Sequence, residues 1–179
     1  YLGGPRFAQI VRRHGLRVIS RPTTIVTENG GIPLRTRPDA RRAYHEVELD
    51  RWRTHLGIPL VLRPRFYPTD PQFSARMVTA ADLLGHDVME LSHALRRAIW
   101  AEERDVTDPA VRIAVADACG LDGRRLQAME EAPEVVAAWQ ASHEEAIAAG
   151  VFGTPTWLLD GVLYWGQDRL DFLERALSA

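Results

Sequence analysis

With 179 residues, 46% of them apolar and 26% charged, the chain has the composition of an ordinary globular protein, long enough for one domain with a substantial core or one domain carrying an insertion. All 22 basic residues are arginine and the single cysteine is Cys119, which excludes lysine Schiff bases, a P-loop cation, an internal disulfide and C-x-x-C dithiol chemistry. The net charge of −2 hides an uneven spread, +8 over residues 1–65 and −10 over 66–179.

The chain opens on YLGGPRFAQIVRRHG, where Phe7, Ile10 and Val11 recur at helical spacing and Gly15 stops the helix. LRVISRP then predicts a strand over 17–21, closed by Pro22. The punctuated TENGGIPLRTRPD that follows is too irregular for either element. From about 41 to 149 the pattern is almost wholly helical, with predicted helices over 41–57, 72–84, 88–100, 109–120, 122–129 and 133–149. TDPAV gives the clearest start, Asp108 placed to cap and Pro109 at the first helical position. The period then changes: TWLL, an Asp160-Gly161 turn and VLYW predict a β-hairpin, because Asp-Gly supplies the positive φ angles of a tight turn. A helix over 167–176 closes the chain.

This order is an incomplete α/β plan. A strand at 17–21 preceded by a helix should be the second strand of a strand–helix–strand unit, whose first strand is expected upstream of the given sequence.

Other chemistry is faint. The basic half is interleaved with acids and lacks aromatic spacing, so no nucleic-acid partner is expected. No apolar run approaches the roughly 20 residues of a membrane helix and no leader is evident, so a cytoplasmic protein with no membrane partner is expected. His86 and His93, seven apart, have no carboxylate cluster beside them, and no metal site is expected. His143, on the longest alanine-rich helix, reads as facing water. Ser20, Ser74, Ser92, Ser142 and Ser178 lie in no nucleophile elbow.

The block GVFGTPTWLLDGVLYWGQDRLDFLERAL closely resembles the C-terminal signature of the 2-hydroxychromene-2-carboxylate isomerases and their kin, the kappa-class glutathione transferases, which share the thioredoxin fold of DsbA-like oxidoreductases. Looser likeness extends through YLGGPRF, P-x-x-R-R-x-Y, the RW-x-x-x-LG run and WAEERDVTDP. The resemblance implies an α/β thioredoxin-like fold made of residues 1–37 and 132–179, lacking its first strand, with an all-helical insertion over 38–131. It also implies glutathione as cofactor, a small aromatic substrate held between sheet and insertion, and a homodimer. The implied activity is glutathione-dependent cis–trans isomerisation of a 2-hydroxychromene-2-carboxylate-type catabolite. A kappa-type transferase or peroxidase, or a non-catalytic glutathione-binding relative, stands as the alternative.

Residue by residue, the resemblance makes Pro155 a cis-proline and puts the backbone of Thr154 against the cysteinyl part of glutathione. Read without it, Pro155 is an ordinary trans residue opening a strand. Gln167 and Asp168 fall where the family holds the γ-glutamyl end, at a helix start suited to a carboxylate, with Asp168 accepting from the ammonium. Capping alone would also account for Asp168. Asn29 sits near a family loop that touches the tripeptide, although turn formation explains it equally. Arg41 stands near a glutathione-contacting lysine of the relatives, or is a solvated helix-face residue. The family's catalytic serine, in a segment S-P-x-x-Y-L, is expected upstream of Tyr1, and no serine of this sequence takes its role.

Overall fold

The computed structural model describes residues 1–24 and 26–178. Helix α1 (Gly4–His14) starts with Pro5 in its first turn, carries Arg12, Arg13 and His14 in its last, and stops at Gly15, φ 60°, whose N–H bonds Val11 O. Proline there forfeits no intrahelical bond, the cations face the negative helix end, and glycine takes the left-handed stop without strain. Among the described residues seven further α-helices follow: α2 (Asp39–Leu56), α3 (Gln72–Leu83), α4 (Met89–Trp100), α5 (Pro109–Ala118), α6 (Gly123–Met129), α7 (Pro133–Ala148) and α8 (Leu170–Leu177). Between α7 and α8 lie strands β1 (Thr156–Leu159) and β2 (Val162–Trp165).

The capping signals hold at atomic level. Asp108 accepts from Ala110 N–H at 2.8 Å, and Asp122 from Arg125 N–H at 2.9 Å, each satisfying a first-turn donor. The hairpin is antiparallel, pairing Trp157 with Tyr164 and Leu159 with Val162. Asp160 (φ 49°) and Gly161 (φ 81°) supply its turn.

The expected strand over 17–21 is absent: among the described residues the sheet has two strands, which bond each other. Residues 16–21 keep a strand-like alternation, with Leu16, Val18 and Ser20 half-buried and Arg17, Ile19 and Arg21 exposed. A strand exists only through a ladder partner, and among the described residues the strand ladder is that of β1 with β2. His143 also departs from expectation: it is half-buried, with Nδ1 2.8 Å from Thr23 Oγ1.

Two compact units result, each with its own core. One comprises residues 59–142 with Tyr1 and 20–22; the other comprises 2–19, 23–58 and 143–179, so the division falls within α7. The first buries Met77, Leu91, Val106, Leu126 and Val135 at 0–1% exposure in a continuous core. Inside it, Arg112 donates to Glu130 at 2.7 and 2.5 Å and to the carbonyls of Val106 and Thr107 at 2.8 and 2.9 Å. Burial pushes the Glu130 carboxyl up, and the facing guanidinium pulls it back. Gly123 sets the α5–α6 approach, since a Cβ there would stand 2.4 Å from Ile113 O.

The second unit has a thinner core: Ile10, Leu170 and Leu173 are buried, with Phe7, Leu16, Trp157, Leu159, Tyr164 and Leu177 packed around them. Each fully buried aliphatic side chain is worth about 1.5–3 kcal/mol, so this core lays α1 and α8 on one face of the hairpin with few residues.

Candidate functional site

The second unit brings three chain segments together. The first is the N-terminus of α1. Gly3 is buried, and a Cβ on it would lie 2.9 Å from Gln167 Cβ and 3.4 Å from the Trp157 ring. Glycine is needed there by contact, because any side chain would push α1 away from the hairpin and the turn before α8. The first turn of α1 has neither a side-chain cap nor an acidic residue, so its positive end is uncompensated locally.

The second segment is Gly153–Thr156. The Thr154–Pro155 peptide bond is cis, and both residues are exposed. Thr156 Oγ1 donates to Gly153 O at 2.6 Å, closing the turn that delivers them. Gly153 admits the indole of Trp165, whose Nε1 would lie 2.6 Å from a Cβ at that position.

The third segment is Gly166–Arg169, which the 2.9 Å bond from Gly166 N–H to Pro155 O fastens to the second. Gly166 adopts φ 95°, ψ 142°, and its missing Cβ leaves room for the Asp168 carboxylate, whose Oδ1 would otherwise lie 2.5 Å away. Gln167–Arg169 form a single 3-10 turn before α8, where one α-helix had been expected from Gln167 onward. The Asp168 carboxylate is 42% exposed and pairs with Arg169 at 2.8 Å. It is therefore an accessible, oriented carboxylate two residues from Gly166, whose N–H bonds Pro155 O.

Arg6 ties the first and third segments. Its guanidinium donates to Gln167 O at 3.3 Å, to Gln167 Oε1 at 3.4 Å and to Asp171 at 2.5 Å. Sequence reading passed over Arg6 and Gly3, because their partners lie more than 150 residues away and no local pattern marks them. The sequence signal is the Gly3-Gly4-Pro5-Arg6 run, legible as a helix start and as part of the looser family likeness in YLGGPRF, neither of which gives these two residues a role.

Thr154, Pro155, Gln167 and Asp168 thus share one locality, and Asn29 has a different occupation. Its amide N–H₂ donates to Ile147 O at 2.9 Å and to Val151 O at 2.8 Å, which closes off the C-terminal end of α7 and leaves only its carbonyl oxygen for other contacts. Arg41 is exposed on α2. The hydroxyls of Ser142 and Ser178 donate to carbonyls four residues back. Burial raises the Cys119 thiol above its usual range, so it is a poor source of thiolate.

A family profile described as a DsbA-like thioredoxin domain matches residues 1–178. The 2-hydroxychromene-2-carboxylate isomerase of Sphingobium xenophagum is 27% identical, the match covering 99% of this chain and 91% of that protein. The isomerase of the same name from Pseudomonas putida is 24% identical, covering 99% and 88%. Human glutathione S-transferase kappa 1 is 28% identical over 87% of this chain and 74% of its own length. A solved structure of 2-hydroxychromene-2-carboxylate isomerase superposes with a TM-score of 0.83 over 99% of this chain and 88% of that one; at 22% identity the likeness is one of fold.

Proposed function

The chain belongs to the DsbA-like thioredoxin domain family, and on that premise we propose that it is a glutathione-dependent isomerase acting on a small aromatic carboxylate of the 2-hydroxychromene-2-carboxylate type. The observation that carries the proposal is the bond from Gly166 N–H to Pro155 O, which joins the turn holding the exposed Thr154 to the turn holding the exposed Asp168. Glutathione has a peptide edge at its cysteinyl residue and an ammonium with a carboxylate at its γ-glutamyl end. The residues present fit both: an exposed backbone at Thr154 for the first, an accessible carboxylate at Asp168 for the ammonium.

Bound there, glutathione supplies a thiol that adds to the conjugated carbon and leaves again, so that a double bond is single long enough to rotate. The protein's own contribution is positional and electrostatic. Thr154 orients the tripeptide through its backbone, and Asp168 with Gln167 anchors the γ-glutamyl end. The uncompensated N-terminus of α1 favours negative charge nearby, lowering the cost of an ionised thiol. Arg6 and Gly3 hold that helix end against Gln167. The names borne by the two bacterial relatives favour isomerisation; the likeness to the human kappa transferase keeps conjugation to an electrophile as a second reading.

A glutathione titration followed by tryptophan fluorescence tests the site. Trp157 contacts Phe7 and Trp165 packs edge-on against Phe152 at 4.7 Å, so both indoles report on this locality. Saturable quenching that weakens about tenfold or more in Asp168→Ala, as expected for losing a charge-assisted bond, supports the assignment. No response from a folded protein would remove glutathione from the account. Isomerase and transferase assays on the saturated protein then separate the two activities.

A further inference from the structure

We propose that Arg96 anchors the carboxylate of a planar aromatic ligand whose ring lies against the stacked rings of Tyr1 and His93. All three residues belong to the unit of residues 59–142 with Tyr1 and 20–22. The ligand chemistry follows from this unit alone, whereas its being the substrate rests on the isomerase reading.

Helix α4 sends Leu91, Leu95, Ala98 and Ile99 into the core. Ser92, His93 and Arg96, at i, i+1 and i+4, fall together on an adjoining face. Arg96 is exposed, so a ligand reaches it, yet the surrounding protein desolvates the guanidinium and lowers its hold on its proton. A charge both reachable and surrounded sits in a recess. Taking water from a cation is costly unless an anion or hydrogen bonds replace it. Among the described residues no carboxylate does so: Arg96 Nη2 donates to the neutral Ser92 Oγ at 2.8 Å, and most of its N–H donors remain available. Other arginines of this unit are treated differently. Arg97, the next residue, pairs with Glu102 at 2.8 Å, and the buried Arg112 pairs with Glu130 at 2.5 Å. Arg96 is thus a recessed cation whose counter-ion none of the described residues provides.

Any anion would answer the charge; the rings narrow the class. Tyr1 and His93 stack with 5.2 Å between ring centres and 18° between planes. The Tyr1 hydroxyl donates to Pro59 O at 2.9 Å, which holds that ring in place. Burial, with the cations Arg96 and Arg97 beside it, keeps the His93 imidazole below its ordinary value, so at neutral pH it is an uncharged aromatic surface. Three residues apart on α4, His93 and Arg96 are neighbours. A conjugated ring bearing a carboxylate uses both, the ring against the stacked pair and the carboxylate in the guanidinium fork. A phosphate or an aliphatic acid uses only the fork.

Isothermal titration calorimetry on the whole chain, without glutathione, tests this with trans-2-hydroxycinnamate and its uncharged amide as probes. The wild type is expected to bind the acid about tenfold or more tighter than the amide. Arg96→Met should abolish that preference and leave the amide's affinity unchanged. Arg96→Gln, which keeps a donor for Ser92, should do the same. Arg97→Met, which breaks the pair with Glu102, should retain the preference in full. Glutathione quenching in Arg96→Met should match the wild type, so that failure of the glutathione site and failure of this one register separately. A wild-type protein that binds acid and amide alike, or binds neither at about 5 mM, would overturn the proposal. So would an Arg96→Met that weakens both probes equally, or an Arg97→Met loss as large as that of Arg96→Met.

Discussion

The two units of this protein solve the problem of stability differently. The unit of residues 59–142 closes on itself: its helices share one continuous apolar core, and its one deeply buried ion pair has four hydrogen bonds around the guanidinium. The other unit centres on a small cluster, Ile10, Leu170 and Leu173, laid against a two-stranded hairpin, an element of marginal stability by itself, and it carries every residue of the candidate site. Packing is concentrated away from the candidate site. The site lies where backbone approach through glycines does the positioning.

Four measurements would break or sharpen this contrast, the largest effect first. Arg112→Ala strands the Glu130 carboxylate, 2% exposed, and should cost about 3–5 kcal/mol in chemical denaturation. Hydrogen exchange should show the loss in α5 and α6; an equal loss in β1 and β2 would mean that the two units do not hold their stability separately. Gly166→Ala places a Cβ at φ 95° and against Asp168 Oδ1, so a cost of about 1–3 kcal/mol is expected, with glutathione affinity falling in parallel. Asn29→Ala leaves the carbonyls of Ile147 and Val151 without their donor, a loss of about 1–3 kcal/mol in thermal unfolding, with little effect on glutathione binding.

The smallest effect is a pH dependence. Burial, with Arg37 beside it, holds the His45 imidazole below its ordinary value. The folded state therefore takes up this proton less readily than the unfolded chain. Stability from His45 is fully present above the unfolded pKa of about 6.5 and is lost as pH falls from there through the lower folded value. Unfolding midpoints across pH 5–8 should show this slope, and His45→Gln should flatten it.

The sequence made the local features readable. Asp108-Pro109 announced the start of α5, Asp160-Gly161 placed the hairpin to the residue, and Gly15 marked the end of α1. What it hid was non-local. Residues 17–21 show the alternation of a strand, but a ladder depends on a partner that alternation cannot guarantee. His143 read as solvated because helix position says nothing of Thr23, 120 residues away in the chain. Thr154, Pro155, Gln167 and Asp168 entered the candidate site through one contiguous block of family likeness, and the structure groups their turns through the Gly166–Pro155 bond. Arg6 and Gly3 escaped because their significance exists only once α1 meets α8.

That meeting has a temporal consequence. Arg6 reaches Gln167 and Asp171 across 161 and 165 residues, whereas Arg112 reaches Glu130 across 18. Loop closure disfavours the longer connection, and domains form in the order that synthesis releases them. The helical unit can therefore be complete on the ribosome while α1 waits without its partner. The candidate locality comes into being only after residues 166–171 emerge, so a chain stopped short of them would hold a finished helical unit and no such locality.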